Sequence, residues 1–162
     1  FSENSLIVEF DNYICFNLSA GSIQRKWEVS KWKEIAKFIL NKDQDLHIAI
    51  FCSKNDSFDA KKIKSLNNER IHYPLNSPTI FHAARYIEKS NLLISVDTSL
   101  IHLAAALKIP VLGLYSNDKK NFARYSPLSN NAKTVSSKTQ FIKDIEIRSV
   151  IKPLNKLNIF KD

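Results

Sequence analysis

Methionine is absent from the chain, and glycine and cysteine occur only twice each. Each shortage excludes something. Two cysteines in 162 residues cannot staple a small disulfide-built scaffold. Cys15 and Cys52 both sit in apolar runs and read as buried free thiols of a reducing compartment. So little glycine excludes a collagen-like repeat. No apolar stretch approaches the roughly 18 residues of a membrane span, and no charged segment followed by an apolar core marks a secretory signal. Neither G-x-G-x-x-G nor a Walker A lysine motif occurs, so the ordinary dinucleotide and P-loop NTPase readings lack their fingerprints. With no methionine and Phe1 at its start, the chain is expected to be a piece of a longer protein.

What is present is the composition of a soluble globular protein: 44% hydrophobic and 25% charged residues. A domain of this length buries roughly 70% of the surface its unfolded chain exposes. Lys and Arg number 24 against 16 Asp and Glu, a formal charge of +8. The excess is local. Residues 1–81 hold 11 basic and 10 acidic side chains, and residues 82–162 hold 13 and 6. Such an excess favours polyanions in general and does not choose among them.

Strand and helix signals alternate. Short apolar runs at Tyr13 to Leu18, Leu46 to Cys52, Ile71 to Tyr73, Leu92 to Val96 and Val111 to Tyr115 predict strands buried on both faces. A weak sixth lies near Ala132 to Val135. Between the first two, Ser30 is expected to cap a helix whose stripe is Trp32, Ile35, Ala36, Ile39 and Leu40. A polar turn from Ser53 to Ser57 leads to a helix with Ala60, Ile63 and Leu66 inward, its Lys61-Lys62-Lys64 run reading as a solvated face. A loop from Pro74 to Pro78 precedes a Thr79-capped helix carrying Ile80, Ala83, Ala84 and Ile87. Leu100 to Leu107 is apolar nearly all round and predicts a buried helix. A last helix is expected from Phe141 to about Ile151, with Pro153 stopping it. The fold class is α/β: a doubly wound, mostly parallel Rossmann-like sheet with helices on both faces. Residues 1–10 are expected to be a linker or edge strand, and 11–162 a single domain. In such sheets ligands sit beyond the carboxyl ends of the strands, near the topological switch point.

Two loops there suit phosphate. After the fourth strand, Asp97 precedes Thr98, Ser99 and Leu100, whose backbone N–H groups open a helix without intrahelical acceptors. His102 follows one turn on, within reach of a phosphate oxygen. Asp97 repels phosphate and suits a sugar hydroxyl better. Each residue taken alone reads first as a helix cap or a satisfied, partly buried histidine; the cluster shifts the balance to a ligand site. After the first strand come Ser19, Gly21, Arg25, Lys26 and Trp27. A glycine at 21 in so glycine-poor a chain suggests backbone strain or close ligand approach. Arg25 and Lys26 supply charge, and Arg grips phosphate through two donors. The competing reading is a solvated basic loop. Weaker candidates are Lys54 and Asp56 after the second strand, read as a polar surface loop or a ribose contact, and Lys119, Lys120 and Arg124 after the fifth. His47, His72 and His82 are scattered without metal spacing.

The run Asp97-Thr98-Ser99-Leu100-Ile101-His102-Leu103-Ala104-Ala105-Ala106-Leu107-Lys108-Ile109-Pro110-Val111 resembles the D-T-G-x-x-H-L-A-A-A-L-x-x-P-V signature of glycosyltransferase family 9, the ADP-heptose:lipopolysaccharide heptosyltransferases. Ser19 to Trp32 resembles the same family's earlier small-residue loop, K-x-W-P and helix with a second Trp. The resemblance spans about residues 12–128. It implies the C-terminal, donor-binding half of a GT-B architecture, two Rossmann-like domains facing across a cleft. It implies that Thr98, Ser99 and Leu100 hold the pyrophosphate, that Asp97 contacts heptose hydroxyls and that His102 lies close to the donor. Ser19 and Arg25 would touch phosphate from the other side, Arg25 standing where the family usually has Lys. Gly21, Lys26 and Asp56 are weaker donor contacts, as are Asn76 and Ser77 in the loop where adenine would lie. Three positions depart from the pattern: Ser99 for Gly, Glu28 for Pro after Trp27, and Ser116-Asn117-Asp118-Lys119 where G-P-T-x is expected.

The resemblance implies an inverting transferase using an ADP-sugar donor and no metal or other cofactor. Its general base, an Asp, would lie in an N-terminal domain, so no catalytic residue is expected in this chain, which alone would be inactive. Partners would be the nucleotide sugar, a lipid-linked saccharide acceptor and the anionic inner face of a membrane approached from the cytoplasm. The rival reading is a non-catalytic module for a nucleotide or phosphorylated ligand. A nucleic-acid reading lacks aromatics interleaved with basic residues on one strand face.

Overall fold

The structure, a computed structural model, describes residues 10–67, 69–75, 77, 79–120, 122 and 130–161. The expected linker or edge strand at residues 1–10 lies, but for Phe10, outside them, as do Asn76, Pro78 and Arg124. Six strands form one sheet: β1 Tyr13–Asn17, β2 His47–Phe51, β3 Ile71–His72, β4 Leu92–Val96, β5 Val111–Tyr115 and β6 Ala132–Ser136. Their order is β3-β2-β1-β4-β5-β6, and every pairing is parallel. The chain runs outward from β1 to β3, crosses back to lay β4 beside β1, and runs outward again to β6. Strand order therefore reverses between β1 and β4, the switch point of a Rossmann-like sheet.

The helices that pack on this sheet among the described residues are α1 Val29–Lys42, α2 Ser57–Lys64, α3 Ile80–Glu88, α4 Ser99–Ala106 and α5 Ile147–Asn155. They cover both faces because the central strands alternate between two cores. From β1, Ile14 and Phe16 enter the core shared with α1, α2 and α5, while Tyr13 and Cys15 enter the one shared with α3 and α4. This is why β1, β4 and β5 read as unbroken apolar runs. Burial pushes the Cys15 thiol up to about 12, so it is inert at neutral pH.

Several local expectations differ from the fold. The α1 stripe is buried as expected, but the cap is Glu28, and Ser30 lies inside the first turn. The Glu28 carbonyl already accepts from the N–H groups of Lys31 and Trp32, which starts the helix two residues early. In α4 only Ile101 and Ala104 are fully buried, and His102 is exposed. Uniform apolarity chooses no inward face; packing against β4, β5 and α3 chooses one. The last helix starts at Ile147, after a 3-10 turn at Ile142–Asp144, and continues through Pro153 to Asn155. Pro153 sits in its final turn, where one backbone bond is lost, while Leu154 and Val150 beside it are buried in the core. Thr79 stands at the cap of α3, but its hydroxyl pairs with His82 Nδ1 at 2.7 Å rather than with an amide.

The approach of α4 to the sheet requires Gly113. A Cβ there would fall 2.8 Å from Cε2 of Tyr115 and 3.2 Å from Cδ1 of Ile101, both side chains buried without room to shift. Gly113→Ala is expected to lower stability by about 1–3 kcal/mol, read as a lower urea midpoint at unchanged m-value. Gly21→Ala, whose Cβ meets nothing within 4 Å, is expected to leave that midpoint unchanged.

Candidate functional site

The carboxyl ends of β1 and β4 stand side by side and carry buried polar residues: Asn17 closes β1, while Ser95 lies within β4 and Asp97 directly follows it. Asn17 is 4% exposed, Ser95 0% and Asp97 6%. Asn17 Nδ2 donates to Ser95 Oγ and to Thr98 Oγ1, both at 2.9 Å. Ser95 Oγ in turn donates to the carbonyl of Val96 at 2.7 Å. These bonds tie the end of β1 to the start of α4 and set where α4 begins. Sequence reasoning passed over Asn17 and Ser95. Their signal was present: a polar residue closing or interrupting a strand buried on both faces must find partners.

Around this tie the two expected loops come together. Arg25, in a 3-10 turn at Ile23–Arg25, places Nε 3.7 Å from Asp97 Oδ2. Arg25 is half-buried and Asp97 nearly enclosed. At that separation the pair is loose, and the guanidinium keeps donors for another anion. Trp27 anchors the loop from below: its ring packs edge-on against Trp32, and Nε1 donates to the Ile145 carbonyl at 3.0 Å.

Asp56 is the second anchor. It is not part of a polar surface loop, since it is 6% exposed. Oδ1 accepts from Lys26 Nζ at 2.5 Å; Oδ2 accepts from Ser19 Oγ at 2.6 Å and from Ser53 Oγ at 3.1 Å. The Ser53 amide closes the network by donating to Ser19 Oγ at 2.7 Å. Both carboxylate oxygens, the Lys26 charge and the Ser19 hydroxyl are thus engaged inside the protein, binding the loop after β1 to the loop after β2. Burial by itself raises the Asp56 pKa, but the donors from Lys26, Ser19 and Ser53 outweigh it and hold the carboxyl below its usual range.

The start of α4 is only partly bare. The Thr98 hydroxyl accepts from the Leu100 amide at 3.4 Å, a long cap. One of the three amides expected to meet phosphate therefore already has a partner, a weak one by its length. Ser99 and His102 are exposed.

Two cavities flank this junction. The first, of about 860 Å³, opens over the ends of β1, β2 and β3; its walls include Asn17, Ser19, Phe51, Leu75, Ser77 and Leu100. The second, of about 550 Å³, lies over the ends of β1, β5 and β6 and includes Gly21, Arg25 and Asn117. Gly21 has a negative φ and open space around it, so backbone strain is not its reason. Lys54 lines the first cavity, and Lys119 lines a smaller hollow of about 240 Å³ beside Phe122.

The structure brings His47 and His72 together, and neither lines these cavities. His47 opens β2, and its Nδ1 lies 2.8 Å from His72 Nε2, with Phe10 stacked on His72. Burial, then the charges of His47 and Lys64, lower His72 to about 4. The pair is a neutral hydrogen bond bracing the sheet edge.

Because the Asp56 pKa is lower folded than unfolded, its contribution is complete above the ordinary carboxylate range, about pH 4, and is lost as pH falls through the folded value. Asp56→Asn is expected to destabilise the chain by about 1–2 kcal/mol at pH 7, the modest figure reflecting the partial exposure of Lys26. It is also expected to flatten the loss of stability between pH 5 and 3, measured by urea titration across that range.

The family model described as glycosyltransferase family 9 (heptosyltransferase) matches residues 3–155. Among curated proteins, no sequence match is found. Solved structures share the fold. The Escherichia coli heptosyltransferase WaaC with ADP superposes at a TM-score of 0.79 with 18% identity, over 94% of this chain and 46% of that one. The E. coli ADP-heptose LPS heptosyltransferase II gives 0.75 and 24%, over 94% and 48%. A Veillonella parvula glycosyltransferase family 9 structure gives 0.77 and 17%, over 91% and 46%. The chain thus spans about half the length of each.

Proposed function

Since this chain belongs to glycosyltransferase family 9, we propose that it is the donor-binding half of a transferase that moves a heptose-like sugar from a nucleotide diphosphate, ADP-heptose, to a lipopolysaccharide core acceptor. The observation that carries the reading is the meeting of Arg25 with the start of α4 at the β1/β4 switch point, between two cavities. Arg25 and the amides of Thr98 and Ser99 supply positive potential from two directions. A diphosphate placed there gains charge-assisted hydrogen bonds.

The first cavity takes the nucleoside, with its base near Leu75 and Ser77. Heptosyltransferase WaaC was solved with ADP, which supports the choice of nucleotide. Asp97 faces sugar hydroxyls, and Arg25 breaks from it to reach the phosphates. As the glycosidic bond to the donor breaks, negative charge grows on the departing diphosphate. Arg25 and the α4 amides stabilise that charge, and the reading needs no metal for this step. The group that takes the acceptor hydroxyl's proton lies outside this site, whose own residues hold the donor and its departing diphosphate.

No helix among the described residues is long and apolar enough to cross a membrane. Contact with the lipid-borne acceptor is peripheral, on the cytoplasmic face, helped by the basic excess of residues 82–162.

Calorimetry tests the site. The chain is expected to bind ADP, and Arg25→Ala to weaken it by roughly tenfold, the loss of one or two charge-assisted hydrogen bonds; Thr98→Ala is expected to weaken it indirectly, by removing the hydroxyl through which Asn17 fixes the start of α4. Asp97→Ala is expected to weaken ADP-heptose while sparing ADP. All three variants binding ADP-heptose like the parent would end the assignment. Sedimentation with phosphatidylglycerol vesicles is expected to carry down the chain at low salt and release it at 0.5 M salt; indifference to salt would remove the membrane contact.

A further inference from the structure

The large hydrophobic side chains exposed among the described residues are Ile23, Phe58, Ile80 and Phe81. Three of them belong to the first turns of α2 and α3. We propose that these two turns dock on an anionic bilayer: Phe58 and Phe81 enter the headgroup boundary, and Lys61, Lys62 and Arg85 meet lipid phosphates behind them. The proposal names the surface for the peripheral contact stated above and rests on that contact, not on the donor site.

Neither phenylalanine serves the fold. α2 turns Ala60 and Ile63 inward, and α3 turns Ala83, Tyr86 and Ile87 inward. Phe58 is 68% exposed and Phe81 79%. Side chains on a helix lean toward its N-terminus, so rings in a first turn reach past the helix end. Both helices begin at the carboxyl end of the sheet. Ser57 and Ile80, each next in sequence to one of the rings, line the same first cavity, so the rings stand at the rim of one opening. Exposed apolar groups gathered in one place mark a contact surface, whereas scattered ones do not.

Charge selects the partner. Lys61 and Lys62 follow Phe58 by three and four residues, and Arg85 follows Phe81 by four, so each cation stands about 5–6 Å behind a ring along the helix axis. Interfacial segments sink roughly 5–10 Å into the headgroup boundary, which puts these cations at phosphate depth when the rings are buried. Lys62 Nζ already lies 4.4 Å from the centre of the Phe58 ring. The carboxylates beside the rings are occupied: Asp59 pairs with Lys62 at 3.7 Å and Glu88 with Arg85 at 3.4 Å. Among the described residues no carboxylate pairs with Lys54 or Lys61, so the patch stays positive. Two copies of it would repel each other, whereas an anionic lipid surface attracts it. The sheet edge at β3 then faces the bilayer, and the β1/β4 switch point lies about 12 Å farther along the sheet. A site at that distance stays in water yet within reach of a saccharide projecting from the lipid.

Sedimentation with phosphatidylglycerol vesicles at low salt reads the contact. Phe58→Ala with Phe81→Ala is expected to weaken partitioning by roughly tenfold or more, the loss of two rings from the interface, with the urea midpoint unchanged. Lys61→Gln with Lys62→Gln is expected to weaken it about tenfold. Arg148→Gln with Lys152→Gln removes the same charge from the exposed side of α5 and is expected to change it by less than about threefold. A Phe81→Trp chain is expected to shift its emission to the blue on these vesicles and to be quenched by brominated lipid. Partitioning that survives loss of both rings overturns the proposed surface and leaves the peripheral contact standing, as does equal loss from the two charge pairs. Emission that stays unshifted, as when a second copy or another protein covers the patch, also overturns it. A parent that ignores the vesicles overturns the peripheral contact and this surface together.

Discussion

The return of the chain from β3 to a place beside β1 leaves two strand ends open next to each other, and Asn17 is the side chain that closes them. Its amide reaches across to Ser95 and Thr98. Without that bridge the buried Asn17 amide would lose both of its 2.9 Å acceptors, and Ser95 and Thr98 would keep only their local bonds to Val96 and Leu100. Leaving even one such group unsatisfied costs about 1–3 kcal/mol, so the end of β1 and the start of α4 are coupled. Where α4 begins, and with it the placement of its first amides, depends on this contact.

A second tier of polar contacts works through Asp56. Its buried carboxylate collects Lys26, Ser19 and Ser53 and so joins the loop after β1 to the loop after β2. The charges nearest the cavities thereby divide. Lys26 is neutralised inside the network. Arg25, one residue earlier, is paired only loosely to Asp97 and keeps donors directed outward. Two adjacent basic residues, indistinguishable by charge, have different tasks because one faces the buried carboxylate and the other faces the crevice.

The elements legible in the sequence were those whose signal is dense. Five apolar strand runs, the Trp32–Leu40 stripe and the order of strands and helices all stand within a residue or so of their expected places. The less legible ones had conflicting or single-residue signals. Pro153 marks a helix end by its own chemistry, yet Leu154 is buried and carries α5 past it. Ser30 has the chemistry of a cap, yet the backbone had already turned at Glu28. Of the site, the α4 start and the Arg25 loop were visible as clusters of donors at strand ends. Asn17, Ser95 and Ser53 were not, because a single polar residue at the end of a strand names no partner.

The local pattern alone determined the alternation of β and α, the strands buried on both faces, and the two loops rich in anion donors. It did so because burial periodicity and helix-start chemistry are properties of consecutive residues. Tertiary structure alone decided that Asp97 would lie beside Arg25, that Asp56 would turn inward to hold Lys26, and that two cavities would open beside the switch point. Those outcomes depend on which strands become neighbours. Residues 70 to 80 positions apart meet only after the crossover has placed β4 against β1, and no stretch of consecutive sequence encodes that meeting.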